Sequence, residues 1–222
     1  MFLWEDIDKD GLTHYWPGCS GSNVDVKSGV AMQNNCPAPQ FVQDPSSPYA
    51  SDKVFNFTRC VGVLPSGSYL ATDYTISFLV YLNSYTYEYQ TIFSYSKSST
   101  TSGILFNFER NSGQVGFSTQ SDTQINSGAN QVSVRTWTYV AVTLAGSQGT
   151  IYFNGNVVGQ GRLSANDPAV IRTFNQIGRL DSVFTINALI KEFKIYNRAL
   201  SQAEIKQNAN SNYCPNGLFV HI

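Results

Sequence analysis

The sequence predicts an all-β fold, a two-sheet antiparallel jelly-roll sandwich with one short C-terminal helix. Short segments of alternating apolar and polar residues recur from about Tyr69 onward, and turns rich in Gly, Asn and Ser separate them. Only one stretch, near the end, has a helical pattern. Many short strands at regular spacing are typical of sandwiches and barrels. The 222 residues suffice for one such domain.

The clearest strand covers residues 136–144, where apolar and polar residues alternate. Residues 75–82 alternate in the same way. The pair Asn154-Gly155 follows a third strand and supplies the positive φ angles of a tight hairpin turn. Further strands are predicted at residues 90–95, 104–109, 114–118, 150–153, 157–158 and 189–196.

The predicted helix begins after the last strand. Ser201 can cap it, and Glu204, three residues later, completes a capping box. Residues 1–60 differ from the rest, since they hold five of the eight prolines and three of the four cysteines. We expect a few short strands there, pinned by disulfide bonds.

The composition excludes several classes of function. Charged residues make up 13% of the chain, about half the usual share, and the formal net charge is −1. No run of Lys or Arg offers a patch for nucleic acid or an anionic membrane. No segment reaches the ~18 apolar residues of a membrane span, so we expect no membrane insertion.

The cysteines favour an oxidising compartment. They are Cys19, Cys36, Cys60 and Cys214. No Cys-x-x-Cys pair occurs, and His14 and His221 are the only histidines, which argues against a zinc site. Two disulfide bonds are therefore predicted, with three pairings possible; the alternative is four buried thiols in a cytosolic protein. The sequon at Asn56 predicts N-glycosylation and fits an extracellular or cell-surface location.

Several segments carry a family resemblance through their order and spacing. They are residues 74–78, 135–143, 151–158, 177–179 and 190–205. Together they resemble the laminin-G-like branch of the concanavalin-A-like lectin/glucanase superfamily, and residues 11–16 look like its first strand. The resemblance covers residues 11–206. It leaves residues 1–10 as an acidic lead-in and residues 207–222 as a tail carrying Cys214.

The resemblance implies two stacked sheets with the first and last strands close together. We therefore expect a Cys19–Cys214 disulfide bond, with Cys36–Cys60 as a local clip. Similar proteins bind glycans or protein partners, often beside calcium, and others hydrolyse glycosides. The expected function is a non-catalytic, extracellular recognition or adhesion module with a glycan or protein partner. Possible partners also include further copies of the chain or other domains of a larger parent protein. The alternatives are a structural subunit of an extracellular filament or coat, and a glycoside hydrolase with non-standard carboxylates.

The sequence lacks the known sets of catalytic residues. The hydrolases of the superfamily carry two glutamates and an aspartate alternating on one strand, where two can act as nucleophile and acid/base. Here no Glu-x-Asp-x-x-Glu run occurs, and every glutamate stands alone. A cross-strand pair of Glu88 and Glu109 is the remaining hydrolase arrangement. Both histidines lie near the termini, which disfavours a Ser/His/Asp triad. The sequence therefore predicts that the protein is not an enzyme.

Calcium is the one cofactor to consider. Residues 6–11 place three carboxylates before a glycine, as a calcium loop does, but the twelfth position of that loop is Pro17 instead of Glu. We interpret this stretch as a solvated lead-in. The nominated calcium ligands are Asp73 and Asp181, which lie in loops, and Asn166-Asp167 is a further loop pair.

Tyrosines supply the candidate ligand-binding surface. Tyr85, Tyr87 and Tyr89 alternate, so they share one strand face if this stretch is extended. Exposed, they can stack on sugar rings or anchor a protein partner. The alternative is a partly buried aromatic strand. Trp16 and Trp137 are predicted to lie in the core.

Overall fold

The computed structural model of the protein confirms the predicted sandwich. It describes residues 10–35, 40–48, 50–58, 60–85, 89–97, 103–109, 113–119, 123–129, 132–180 and 184–211. Within these ranges, an eight-stranded and a seven-stranded antiparallel sheet enclose the main hydrophobic core. A small two-stranded hairpin, one α-helix and a short 3-10 helix (Cys19–Gly21) complete the described structure.

The strands are numbered in chain order. The first sheet has the order β13 (Asn156–Arg162), β12 (Gln148–Phe153), β11 (Trp137–Ala145), β6 (Tyr74–Leu82), β17 (Ala188–Tyr196), β4 (Lys53–Asn56), β3 (Phe41–Gln43), and β1 (Leu12–Trp16) also pairs with β17. The second sheet has the order β10 (Gln124–Asn126), β9 (Val115–Thr119), β8 (Ile104–Glu109), β7 (Tyr89–Ser96), β14 (Phe174–Ile177), β5 (Val61–Leu64), β2 (Gln33–Asn35). The small hairpin contains β15 (Arg179–Leu180) and β16 (Phe184–Thr185).

The alternation along β6 and β11 explains how the first sheet buries one face. Phe78 pairs with Val140, and Ile76 pairs with Val142. All four side chains are fully buried, because successive strand residues point to opposite faces and these four point inward. The ring of Phe78 then meets that of Phe106 from the second sheet, with centroids 5.8 Å apart.

The predicted hairpin at Asn154-Gly155 is confirmed. Asn154 has φ 47° and Gly155 has φ 82°, as a two-residue turn between right-twisted strands requires. The turn joins β12 to β13 and lets the sheet continue to its edge.

The predicted capping box is also confirmed at the start of α1 (Gln202–Asn210). Arg198 donates to the carboxylate of Glu204, which holds the pKa of Glu204 at about 2. Ile205 is buried and packs in a small cluster on the outer face of the first sheet, with Tyr139 and Tyr196 among its members. The helix therefore covers part of that face. No helix in the described ranges is long and apolar enough to span a membrane.

A β-bulge in β17 changes the direction of its side chains. The register against β6 shifts between Lys191 and Lys194, and Glu192 within it has φ 58°. Glu192 is buried, and the Tyr15 hydroxyl donates to its carboxylate at 2.8 Å. Lys194 Nζ lies 3.5 Å from the same carboxylate. The bulge thus buries charged groups on the outer face while Phe193 stays in the core.

The segment after β1 is pinned by one buried carboxylate. Asp25 is fully buried and accepts backbone N–H groups from Tyr15 at 2.7 Å and Lys27 at 2.9 Å. Its other oxygen meets the Ser28 hydroxyl and lies 2.7 Å from Nδ1 of His14. Burial by itself raises the pKa of Asp25, but these hydrogen bonds, with that from His14 the largest, bring the pKa below its ordinary value.

The prediction that Trp137 lies in the core is wrong, whereas Trp16 is fully buried as expected. Trp137 is half-buried on the outer face of the first sheet. Its Nε1 donates to Asp44 at 3.1 Å, and Lys191 Nζ lies 4.5 Å above its ring centre. Lys191 also donates to Asp44 at 2.5 Å. Alternation alone could not show that the loop after β3 folds over this face and covers the indole.

The Asp44–Lys191 pair gives a pH-dependent stability prediction. Burial by itself raises the pKa of Asp44, but the hydrogen bonds from Lys191 and Ser46 lower it below its ordinary value of 3.8. The pair's contribution is therefore present above that value and is lost as pH falls through the folded-state pKa. Lys191→Met should lower the free energy of unfolding by about 3 kcal/mol at neutral pH, and by less at acid pH.

Urea denaturation across the acid range measures this effect. Lys53→Met is the matched control, because Lys53 is an exposed lysine on the neighbouring strand β4. If Lys191→Met lowers the free energy of unfolding by the same amount at every pH, the role given to Asp44 is contradicted.

Candidate functional site

A groove of about 210 Å³ opens at one end of the sandwich. Its walls come from the ends of β7, β8 and β9 and from the long connection between β13 and β14. The lining residues are Lys97, Gly103, Ile104, Thr119, Ala165, Asn166, Asp167, Val170 and Arg172. Loops at the end of a rigid sandwich are where binding residues commonly lie.

Asn166 holds the long connection in place. Its Nδ2 donates to the carbonyls of Leu70 at 3.1 Å and Ala71 at 2.6 Å. Its Oδ1 accepts a hydrogen bond from Arg172 Nη2 at 2.7 Å. Because Asn166 is itself buried, this network holds the wall of the groove in one conformation.

The turn within the connection follows from its sequence. Asp167 Oδ1 accepts the N–H of Ala169 at 2.9 Å, an Asx-turn in which Pro168 sets the backbone angle. Arg172 then forms an isolated bridge with Gly67 on a neighbouring loop. The bridge fixes the backbone of Arg172, which belongs to the lining of the groove.

Arg172 is the unusual residue of this site. Only 8% of its surface is exposed, yet it lines the groove. A guanidinium carries five N–H donors, and its protein acceptors here are Asn166 and the carbonyl of Val170, the latter at 3.4 Å. The ion pairs within the described ranges do not include Arg172.

The electrostatic surroundings leave this charge only partly balanced. Burial lowers the pKa of Arg172, while Tyr74 and Asp167 act in the opposite direction. Tyr74 is fully buried, and burial raises its pKa far above its ordinary value, so its hydroxyl stays neutral. Asp167 is exposed at the rim. Lys97, also exposed, adds a second cation to the lining.

The groove is equipped to bind a small polar ligand. Among the described lining residues, Asp167 supplies the single carboxylate, whereas glycoside hydrolysis uses a carboxylate pair. Glu88, one member of the predicted cross-strand pair, lies outside the described residues, and Glu109 ends β8. Sequence reasoning nominated Asn166-Asp167 as a loop pair but missed Arg172. Its only signal was an arginine in a chain with few charges.

The predicted tyrosine row is only partly described. Tyr85 is half-buried, packs against the core and donates its hydroxyl to the carbonyl of Val132 at 2.9 Å. It lies before β7, which Tyr89 begins, and Tyr87 lies outside the described residues. A ligand-binding role for these tyrosines stays a prediction.

Of the two predicted calcium ligands, only Asp73 lies in the described structure. Asp73 Oδ1 accepts the N–H of Gly146 at 2.7 Å and so supports the turn between β11 and β12. Asp181 lies outside the described residues. Among those that are described, no three His, Cys, Asp or Glu side chains form a metal-holding group. Calcium takes six to eight oxygen ligands, and a calcium site at Asp73 and Asp181 stays a prediction.

The predicted covalent features are also partly described. Cys19 and Cys60 are both disulfide-bonded, but the predicted partners Cys214 and Cys36 lie outside the described residues. Asn56 ends β4, where it is half-buried and its Oδ1 accepts the N–H of Thr58 at 3.0 Å. The pairing and the glycosylation stay predictions.

A comparison with family models decides the family. The laminin-G-type model of the concanavalin A-like lectin/glucanases superfamily matches residues 62–206. The chain belongs to this superfamily. That match begins within β5 and ends within α1, so it includes every residue that lines the groove. A comparison with curated proteins finds no match.

Solved structures share the fold of this superfamily member at low sequence identity. The binding domain of botulinum neurotoxin DC, solved with SialylT, has a TM-score of 0.69 at 17% identity over 90% of this chain and 51% of its own. Domain 4 of AbnA, an extracellular GH43 arabinanase from Geobacillus stearothermophilus, was solved with arabinotriose. Its TM-score is 0.67 at 15% identity, over 91% of this chain and 100% of its own. Trypanosoma rangeli sialidase, solved with the inhibitor DANA, has a TM-score of 0.68 at 16% identity over 92% of this chain. The chain spans about a third of the sialidase, 33% of its length.

We predict that peptide mapping of the non-reduced protein will recover Cys19 linked to Cys214 and Cys36 linked to Cys60. The first link closes most of the chain into a loop, so its removal should lower the free energy of unfolding by about 4 kcal/mol. Mapping after reduction and alkylation is the control. A peptide in which Cys19 is linked to Cys60 would contradict the pairing.

Proposed function

We propose that this superfamily member is a non-catalytic recognition module that binds a glycan in the groove at the end of the sandwich. The observation that carries the proposal is a preformed concave groove whose wall holds a buried arginine with spare N–H donors. Polar groups held in fixed positions bind hydroxyl-rich ligands with little loss of conformational entropy.

The similar structures support a sugar as the ligand. The arabinanase domain was solved with arabinotriose and the neurotoxin binding domain with SialylT. Low identity limits these likenesses to the fold, so the groove residues of this chain carry the argument. Its volume of about 210 Å³ lies below the ~300–1,000 Å³ of sites for drug-sized ligands. We therefore propose that the groove takes a single sugar residue of a larger glycan.

An extracellular or cell-surface recognition role is part of the proposal. Cys19 and Cys60 are disulfide-bonded, and disulfide bonds persist in oxidising compartments. The proposed absence of catalysis rests on the single carboxylate among the described lining residues. In this role, the domain brings its parent protein to a glycan-bearing surface.

A steric variant tests the site. Ala165 is exposed and lines the groove, so Ala165→Trp should fill it and weaken glycan binding at least ~10-fold. Ala169 is exposed on the same connection and is not part of the lining, so Ala169→Trp is the matched control. Glycan-array screening selects the ligand, and isothermal calorimetry measures its Kd for the wild type and both variants.

We expect Ala169→Trp to bind as the wild type does, with equal melting temperatures for all three proteins. An array that retains no glycan, acidic or neutral, would overturn the proposed function. If Ala165→Trp binds the glycan as tightly as the wild type, the glycan binds outside this groove.

A further inference from the structure

We infer that the glycan bound in this groove carries a carboxylate, as an acidic sugar residue does, and that the carboxylate pairs with Arg172. The inference rests on the proposed function and narrows it to one ligand class. It is carried by a buried arginine that lines the groove with no ion-pair partner in the described part of the chain.

The first argument is the cost of burying a charge. A charged group removed from water is stable when it is paired or fully hydrogen-bonded. Arg172 has one short hydrogen bond, to Asn166, and a long one to Val170. A carboxylate can accept two parallel N–H bonds from a guanidinium. Such a ligand would supply the partner that the described residues do not.

The second argument is the sign of the lining charges. Among the described lining residues, Lys97 and Arg172 are positive and Asp167 is negative, so their charges sum to one positive charge. This local excess of positive charge contrasts with the chain as a whole, which has a net charge of −1 and 13% charged residues. A monoanionic group matches it. A phosphate monoester carries a charge nearer −2 and would meet stronger repulsion from Asp167 at the rim.

The third argument is the combination of size and rigidity. The groove of about 210 Å³ accommodates one ring with its substituent instead of an extended oligosaccharide. The hydrogen bond from Arg172 to Asn166, and those from Asn166 to Leu70 and Ala71, hold the guanidinium in place. Preorganised donors of this kind favour an acceptor of matching geometry over a merely hydroxylated ring.

Matched ligands provide the test. Sialyllactose, its carboxyl methyl ester and lactose form the first set, in which the sialic acid carboxylate is present, esterified or absent. Glucuronic acid and glucose form a second set, which tests whether the carboxylate can come from a uronic acid instead of a sialic acid. Calorimetry should show at least ~10-fold weaker binding when the carboxylate is esterified or absent, since hydrogen bonds to charged groups are the stronger ones. A lactose sulfate ester serves as the non-carboxylate monoanion and should bind more weakly than sialyllactose.

Two variants act on the charge in opposite directions. Arg172→Gln should reduce binding of the acidic ligand to the level of the neutral one. Asp167→Asn should strengthen acidic binding several-fold, because it removes the repelling carboxylate. It keeps the Oδ1 acceptor for Ala169, so the turn is preserved. This second variant keeps the inference testable if Arg172→Gln fails to fold.

The outcomes separate the two proposals. Equal binding of acidic and neutral glycans, unaffected by Asp167→Asn, would overturn the carboxylate inference and leave the glycan-binding function standing. Preference for the sulfate ester would also overturn it. Binding of no glycan by the folded protein would remove the proposed function and the inference together.

Discussion

The two sheets are held together by aromatic packing centred on Phe78. Its ring lies stacked 5.7 Å from that of Phe193 within its own sheet, and edge-on to Phe93 and Phe106 of the other sheet, at 6.3 and 5.8 Å. Burying such rings supplies much of the driving force for a sandwich. The groove depends on this contact. One wall comes from strands of the second sheet, and the other comes from the connection that links β13 of the first sheet to β14 of the second. These walls keep their spacing only while the sheets stay stacked.

Local patterns in the sequence predicted most of the fold. Alternation located β6 and β11, Asn154-Gly155 located a hairpin, and Ser201 with Glu204 located the helix start, because each of these signals acts between neighbours in the chain. The core prediction for Trp137 was wrong, because the alternation that turns Val140 and Val142 inward turns Trp137 to the outer face. What spacing could not show is that Asp44, far away in sequence, reaches the indole there.

The candidate site was harder to predict than the fold. Asn166 and Asp167 attracted attention as loop oxygens for calcium, yet Asn166 anchors the loop and Asp167 forms a turn. Arg172 gave no local signal, because its burial results from contacts with distant segments. Residues whose role comes from tertiary surroundings cannot be located from spacing alone.

The position of β17 has a consequence for biosynthesis. Though last among the described strands, β17 lies between β6 on one side and β1 and β4 on the other. During translation one edge of β6 therefore stays unpaired until β17 has been synthesised and has left the ribosome. Unpaired edges invite intermolecular association, so the nascent chain should depend on chaperones that shield this edge until β17 is inserted.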